Sequence, residues 1–109
     1  MDRIILYKLE RTDIRISMEM YFNKESQLIF DGCDIGKTVD DCWGGSDYEY
    51  TYTITPVEVE KFYPIFNLKA GDKTGLLHSI QNNFSVNEAY SLFGEFMDKN
   101  SIIYDSFTY

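Results

Sequence analysis

The clearest pattern of apolar and polar positions lies between residues 48 and 66, where strict alternation gives way to helical spacing. Over Tyr48–Ile54 every second side chain is aromatic or aliphatic and those between are Glu or Thr, which predicts a half-buried β-strand. Thr55 and Pro56 follow at once, and Glu58 lies where a capping box places its acid. The sequence therefore predicts a strand that leads directly into a helix.

Three strands are predicted before this junction. Arg3 to Glu10 carries a nearly continuous apolar run and is predicted to be a central strand. Residues 13 to 22 alternate cleanly, so that one face packs and the other contacts water. Gln27 to Asp31 continues the packed face, and such short connections indicate an antiparallel meander with Tyr48–Ile54 as its fourth strand. The water-facing positions of the second strand are Arg15, Ser17, Glu19 and Tyr21.

Helical spacing dominates the second half of the chain. Apolar side chains from Val59 to Phe66 form one stripe, which Pro64 is expected to kink or end near Tyr63. A second helix is predicted from about Lys73 to Asn83.

A third helix is predicted to open at a second capping box, formed by Ser85 and Glu88, and to end at Asn100. Ile102 to Tyr109 predicts a last strand. Residues 1–109 are thus expected to form a single α+β domain. Its sheet would have four or five mainly antiparallel strands, with about three helices packed on one face.

Composition agrees with a self-sufficient globular domain. Hydrophobic residues make up 44% of the chain and aromatic residues 17%, which is too rich for a disordered segment. Charged residues interrupt every apolar stretch before it reaches the length of a signal peptide or the roughly 18 residues of a membrane span. We therefore expect a cytoplasmic protein in which Cys33 and Cys42 are reduced thiols.

Negative charge is concentrated in one part of the sequence. The formal net charge is −8, which disfavours nucleic acid and anionic membrane as partners and favours a basic protein. Between Asp31 and Glu49 lie six acids and one base, Lys37, so this stretch holds five of the eight net negative charges.

Residues 32 to 47 are predicted to form a long loop, because four glycines break any regular element. Loops of that length in compact domains are uncommon and often functional. Acids around an exposed Trp could dock Arg and Lys side chains of a partner. The alternatives are a solvated loop with no partner and a Trp that plugs the core. The residues predicted to bind a partner are Asp34, Asp40, Asp41, Trp43, Asp47 and Glu49.

Known catalytic and metal-binding patterns are not found in the sequence. His78 is the only histidine and has no nearby Cys or Asp in sequence. The spacing of Cys33 and Cys42 fits neither zinc nor redox motifs, and the aspartates lack the register of a calcium loop. No phosphate-binding glycine motif occurs. We therefore predict no catalytic residue, metal or cofactor. The alternative is a small enzyme or ligand-binding protein with a pocket under the 32–47 loop, using His78 and a carboxylate.

Two segments carry a resemblance to a known family. Residues 30–36 read Phe-Asp-Gly-Cys-Asp-Ile-Gly, and residues 48–50 read Tyr-Glu-Tyr. This resembles a group of small bacterial proteins in which a strand ending in Gly-Gln-Asp-Leu-Gly precedes an acidic stretch and a Tyr-Glu-Tyr strand; Cys33 stands where the group usually has Gln. Such proteins are similar to immunity proteins of bacterial toxin systems, including contact-dependent growth inhibition.

The resemblance covers about residues 28 to 55. It implies a protein that binds and neutralises a cognate toxin, and it implies no catalytic residue. Nuclease toxins must engage nucleic acid and are often basic, so an acidic inhibitor can mask their positive site. We therefore expect the partner to be a basic toxin domain.

Overall fold

A computed structural model of the chain describes residues 3–12, 14–36 and 47–108. These residues form a five-stranded antiparallel sheet with helical segments inserted between the last two strands, which confirms the predicted α+β class. The strands lie in the order in which they occur along the chain. The elements are β1 (Arg3–Glu10), β2 (Ile14–Phe22), β3 (Leu28–Gly36), β4 (Asp47–Ile54), α1 (Pro56–Val59), α2 (Phe62–Ile65), α3 (Lys73–Phe84), α4 (Ala89–Lys99) and β5 (Asp105–Thr108).

The helices pack on one face of this sheet, which we call the inner face. Helix α3 lies over β1 and β2, and α4 lies over β3 and β4. The alternation read from the sequence places the expected side chains inward, and together they form one core. Its sheet members are Ile4, Leu6, Ile16, Met18, Met20, Phe22, Leu28, Phe30, Tyr50, Tyr52 and Ile54; its helical members include Phe62, Tyr63, Leu76, Leu77, Ile80, Phe84, Phe93 and Met97.

The prediction that β1 is a central strand is wrong. In the described part of the sheet β1 pairs with β2 alone and lies at the edge. Its apolar run has another cause, since the register shifts between Ile5 and Tyr7 and places an extra residue there. Leu6 is buried at this bulge, whereas Ile5 is 51% exposed. A bulge therefore mimics the continuous apolar pattern of a strand buried on both faces.

Strand β3 is longer than predicted. It continues past Asp31 to Gly36, and β4 begins at Asp47, so the residues between these strands are 37–46 and not 32–47. Gly32 is predicted by the sequence to be the first residue of the loop. It instead lies within the ladder, where it pairs with Tyr50 on β4 and Met18 on β2.

The first predicted helix is divided into α1 and α2, so that with α3 and α4 the prediction of about three helices is confirmed. The break lies at Glu60 and Lys61 and not near Tyr63. A proline has no N–H for the carbonyl four residues earlier, and its ring clashes with that carbonyl. For Pro64 the carbonyl concerned belongs to Glu60, so the helix is interrupted there and Pro64 lies inside α2.

Both predicted capping boxes are wrong. Thr55 occupies the N-cap position of α1 and Pro56 its first turn, but the Thr55 side chain makes no capping hydrogen bond. The Glu58 carboxylate instead accepts the Ile103 N–H at 2.8 Å and pairs with the Lys61 ammonium at 2.7 Å. These contacts lower the pKa of Glu58, the Ile103 bond contributing most. The acid thus ties α1 to the segment before β5.

The second capping box fails for a similar reason. The Ser85 hydroxyl donates a hydrogen bond to the Gln81 carbonyl, so it closes the end of α3 and does not open α4. The side chain that does cap a helix start is Asp72, whose carboxylate accepts the Gly75 N–H at 3.0 Å.

Helix α4 ends at the predicted cap, Asn100. Ser101 takes a left-handed conformation with φ of 57°, and the Ile102 N–H returns to the Met97 carbonyl at 2.9 Å. This is a Schellman motif, and the buried Ile102 side chain completes it. The predicted last strand is shortened to Asp105–Thr108, which pairs with β4.

We expect Asp72→Ala to destabilise the protein and Thr55→Ala to leave its stability nearly unchanged. The Asp72 side chain caps α3, and loss of an N-cap costs about 1 kcal/mol. Thr55 serves as the matched control because it has the N-cap position without the side-chain bond. Urea unfolding measures both. Equal midpoints for the two variants would contradict the assignment of the caps.

Gly94→Ala is expected to destabilise the protein by about 1–3 kcal/mol, although alanine favours helices by about 1 kcal/mol over glycine. A Cβ at position 94 would lie 2.2 Å from the Tyr52 hydroxyl oxygen. Tyr52→Phe removes that oxygen, so the cost of Gly94→Ala should be smaller in the Tyr52→Phe background. A double-mutant cycle in urea isolates the effect. Equal costs in both backgrounds would exclude this contact as the cause.

Candidate functional site

The described residues include three of the six predicted partner-binding residues, and two of these, Asp34 and Glu49, lie on opposite faces of the sheet. Asp40, Asp41 and Trp43 lie outside the described residues. Asp34 points to the inner face of β3, whereas Glu49 lies on the opposite, outer face of β4 and is exposed. Asp47 is the first residue of β4 and pairs with Ile35.

Asp34 contacts a tyrosine of the neighbouring strand. The Tyr50 hydroxyl donates a hydrogen bond of 2.7 Å to Asp34 Oδ1. This geometry requires glycine at position 32, since a Cβ there would lie 2.0 Å from Tyr50 Cε2. The Tyr50 ring therefore lies across the backbone of β3 and carries its hydroxyl to the carboxylate two residues further along that strand.

A cavity of about 440 Å³ opens beside this pair. It lies where β3 and β4 extend past the start of α4, at the end of the sheet that also holds the β1–β2 turn; we call this the hairpin end. Such a volume is in the range of roughly 300–1,000 Å³ typical of ligand pockets. We call this space the anionic cavity. Its lining residues are Met18, Asp34, Tyr48, Tyr50, Asn87, Glu88, Tyr90 and Ser91.

Tyrosine rings form much of the wall of the anionic cavity. The Tyr50 ring lies 4.8 Å from that of Tyr90 and 5.7 Å from that of Tyr48, measured between centroids. Tyr90 is held by stacking on Tyr52 at 4.1 Å. Tyr48 is 49% exposed and forms an open rim. The rings at the back are fixed by packing, and the rim is accessible.

The charge of the anionic cavity is negative. Among its described lining residues two are acids, Asp34 and Glu88, and none is basic. Burial and the hydrogen bond to Asp34 raise the pKa of Tyr50 far above its ordinary value. The Tyr50 hydroxyl therefore keeps its proton well above neutral pH and donates a hydrogen bond to the Asp34 carboxylate.

Sequence reasoning missed the contribution of α4 to this cavity. Asn87, Glu88 and Ser91 lie far from Asp34 in sequence, and Glu88 was assigned to a capping box. Tyr90 lies in this segment, and its ring packs against the core. The sequence does contain a signal for this contribution. Asn87 and Glu88 are polar and come directly before a helix whose apolar stripe must pack on the sheet, which places them near the sheet surface.

The outer face of the sheet is open in the described part of the chain. Arg3 pairs with Glu19, and its guanidinium lies 4.2 Å from the ring centroid of Tyr21. The predicted water-facing positions of β2 are thus confirmed to lie on this face. Ion pairing and cation–π contact already engage the charges of Arg3 and Glu19, so this region is less suited to bind a charged ligand than the anionic cavity.

A second cavity, of about 320 Å³, lies at the opposite end of the sheet. Lys24 and Lys73 line it. The Lys73 ammonium donates to the Ser26 hydroxyl at 3.0 Å and lies 5.3 Å from the centroid of the Phe22 ring. Lys73 therefore joins α3 to the β2–β3 turn, and this structural role accounts for its position in the wall of the cavity.

His78 lies on the exposed side of α3 and does not line either cavity. Within residues 3–12, 14–36 and 47–108, no group of three or more His, Cys, Asp or Glu side chains is placed to hold a metal ion. No helix in these ranges is long and apolar enough to cross a membrane.

Stability is expected to fall as pH rises above about 10, the ordinary pKa of tyrosine. Burial raises the pKa values of Tyr50 and Tyr52, so the folded chain binds these protons more tightly than the unfolded chain does. Below about pH 10 both states hold the protons and no stability is lost; above it only the unfolded chain releases them readily. Urea unfolding between about pH 8 and pH 11 measures this. Tyr50→Phe should flatten the dependence, and an unchanged slope would contradict the assignment.

Comparison of the chain with family models, with curated proteins and with solved structures found no match.

Proposed function

We propose that this protein is an immunity-type inhibitor that binds and neutralises a basic bacterial toxin. The observation that carries the proposal is the anionic cavity at the hairpin end. There, the Asp34 carboxylate, held by Tyr50, opens into a space walled by tyrosines and lined by no base among its described residues. Carboxylates beside fixed aromatic rings are the features by which an interface captures basic side chains.

The distribution of charge supports the same function. Asp40 and Asp41 follow β3 in sequence, and the chain carries a net charge of −8. An excess of one sign speeds the encounter with a partner of opposite sign and depends strongly on salt. The excess of acids would provide attraction at a distance, and the anionic cavity would provide the specific contact.

The resemblance of residues 30–36 and 48–50 to immunity-type proteins is a second support. The structure gives these motifs a common role, because they are paired stretches of β3 and β4. They include Gly32, Asp34 and Tyr50, the three residues that position the cavity carboxylate.

The alternative of a small enzyme or ligand-binding protein is favoured by one observation, the concave shape of the cavity. Its catalytic form relied on His78, which lies outside the cavity. Binding of a basic side chain accounts for the concave shape as well as for its charge, so we place the inhibitor first.

The proposal is tested with the product of the gene beside the one encoding this chain, since an immunity gene normally follows its toxin gene. Co-expression should restore growth to cells that produce the toxin, and the purified proteins should form a complex. Association should slow several-fold as salt increases. Asp40→Asn combined with Asp41→Asn should slow association at low salt and reduce its salt dependence, with circular dichroism unchanged.

His78→Gln provides the control in this assay, because it changes an exposed residue away from the cavity. Protection should be retained. Loss of protection by a folded His78→Gln variant would favour the enzyme alternative. If the chain neither binds the neighbouring gene product nor protects against it, the proposed function is wrong.

A further inference from the structure

We propose that the anionic cavity receives one arginine side chain of the partner. This inference rests on the proposed function, because it names the group by which the toxin is recognised. The guanidinium would lie over the half-exposed ring of Tyr48 and bind the Asp34 carboxylate, with Tyr50 behind that carboxylate and Glu88 at the rim.

The carboxylate has capacity left for such a ligand. Asp34 accepts the Tyr50 hydroxyl through Oδ1, and the structure shows this bond at 2.7 Å. An ionised carboxylate offers about four lone-pair positions, so a donor at one oxygen leaves the other able to accept a charge-assisted hydrogen bond. The fixed Tyr50 hydroxyl also orients the carboxylate before the ligand arrives.

The tyrosine rings suit a cation that is flat. Tyr48 and Tyr50 have ring centroids 5.7 Å apart and planes tilted by 47°, and Tyr48 is half exposed. A cation over an aromatic face is attracted by the ring, and a guanidinium can also stack on it. Tyr50 is 5% exposed and forms the back of the site, so the ring that a ligand can reach from solvent is that of Tyr48.

Other cations fit the site less well. A divalent metal requires several oxygen ligands, and the described residues bring no three carboxylates or other metal-binding side chains together. A lysine ammonium has three donors and is strongly hydrated, whereas guanidinium has five donors in a plane and is more weakly hydrated. Asn87 and Ser91 add neutral acceptors around Asp34 and Glu88 that these extra donors can use.

The experiment is an NMR titration of the isotopically labelled chain with three capped amino acids. The probes are N-acetyl-arginine amide, N-acetyl-lysine amide and N-acetyl-citrulline amide, the last of which has the shape of arginine without its charge. We expect saturable shifts with the arginine probe at the backbone amides of Asp34, residues 48–50 and residues 87–91. Citrulline should produce no saturable shifts, and lysine should bind at least several-fold more weakly.

Three variants locate the contact. Asp34→Asn should weaken arginine binding by about tenfold, since it removes the negative charge of the acceptor. The side-chain oxygen of the asparagine can still accept the hydrogen bond from the Tyr50 hydroxyl. Tyr48→Ala should weaken it by about two- to fivefold through loss of one ring. Glu49→Gln is the matched control, because it also removes one negative charge, but from the outer face of β4 next to Tyr48. The affinity of this variant for the arginine probe should stay within about twofold of that of the unmodified chain at physiological salt.

Equal binding of citrulline or lysine would overturn the inference, as would shifts that map away from the cavity. It would also be overturned if Asp34→Asn bound arginine as tightly as Glu49→Gln does. The titration needs no toxin, so its failure is separable from that of the proposed function. Capture of the toxin without arginine binding would refute only the arginine pocket, whereas arginine binding without any toxin capture would refute the inhibitor.

Discussion

The structure depends on two tyrosines of β4 whose rings occupy the space that a side chain would take on the neighbouring element. Tyr50 lies over Gly32 of β3, and Tyr52 points its hydroxyl at Gly94 of α4. Added Cβ atoms at these glycines would come within 2.0 Å and 2.2 Å of the tyrosine atoms. Glycine therefore sets both the packing of α4 on the sheet and the direction of the Tyr50 hydroxyl.

The close approach of α4 brings its aromatic side chains onto those of the sheet. Tyr90 stacks on Tyr52, whose hydroxyl donates to the Tyr90 carbonyl at 2.9 Å, and Phe93 lies 6.1 Å from Phe30 and 5.7 Å from Phe62. Each such ring pair contributes about 0.5–1.5 kcal/mol beyond burial. The high aromatic content thus belongs to the core, and the tyrosines at its hairpin end, where the helix cover stops, become the walls of the cavity.

Local patterns predicted most of the fold because alternation and helical spacing are set by which face each residue buries. They failed where a residue's role is decided by a partner far along the chain. Gly32 looked like a turn residue because nothing in sequence shows that the Tyr50 ring lies on it. Glu58 matched a capping box, but the Ile103 N–H and Lys61 bind its carboxylate. The effect of Pro64 was predicted in part: the sequence shows that this proline interrupts a helix, but the break lies at Glu60 and Lys61 and not near Tyr63.

The sequence predicted acidic residues at the candidate site but not their arrangement, because the pleat of a sheet places neighbouring positions of a strand pair on opposite faces. Asp34 pairs with Tyr48 on the inner face, and Glu49 pairs with Cys33 on the outer face, so adjacent residue pairs serve opposite surfaces. Charge on either face acts through solvent over about 8–10 Å, so it contributes to the electrostatic field of the chain whichever face carries it. Of these two carboxylates, that of Asp34 is oriented by a tyrosine hydroxyl and lies among tyrosine rings. In the proposed inhibitor, long-range attraction would therefore depend on the net charge, whereas specific recognition would depend on the residues around Asp34.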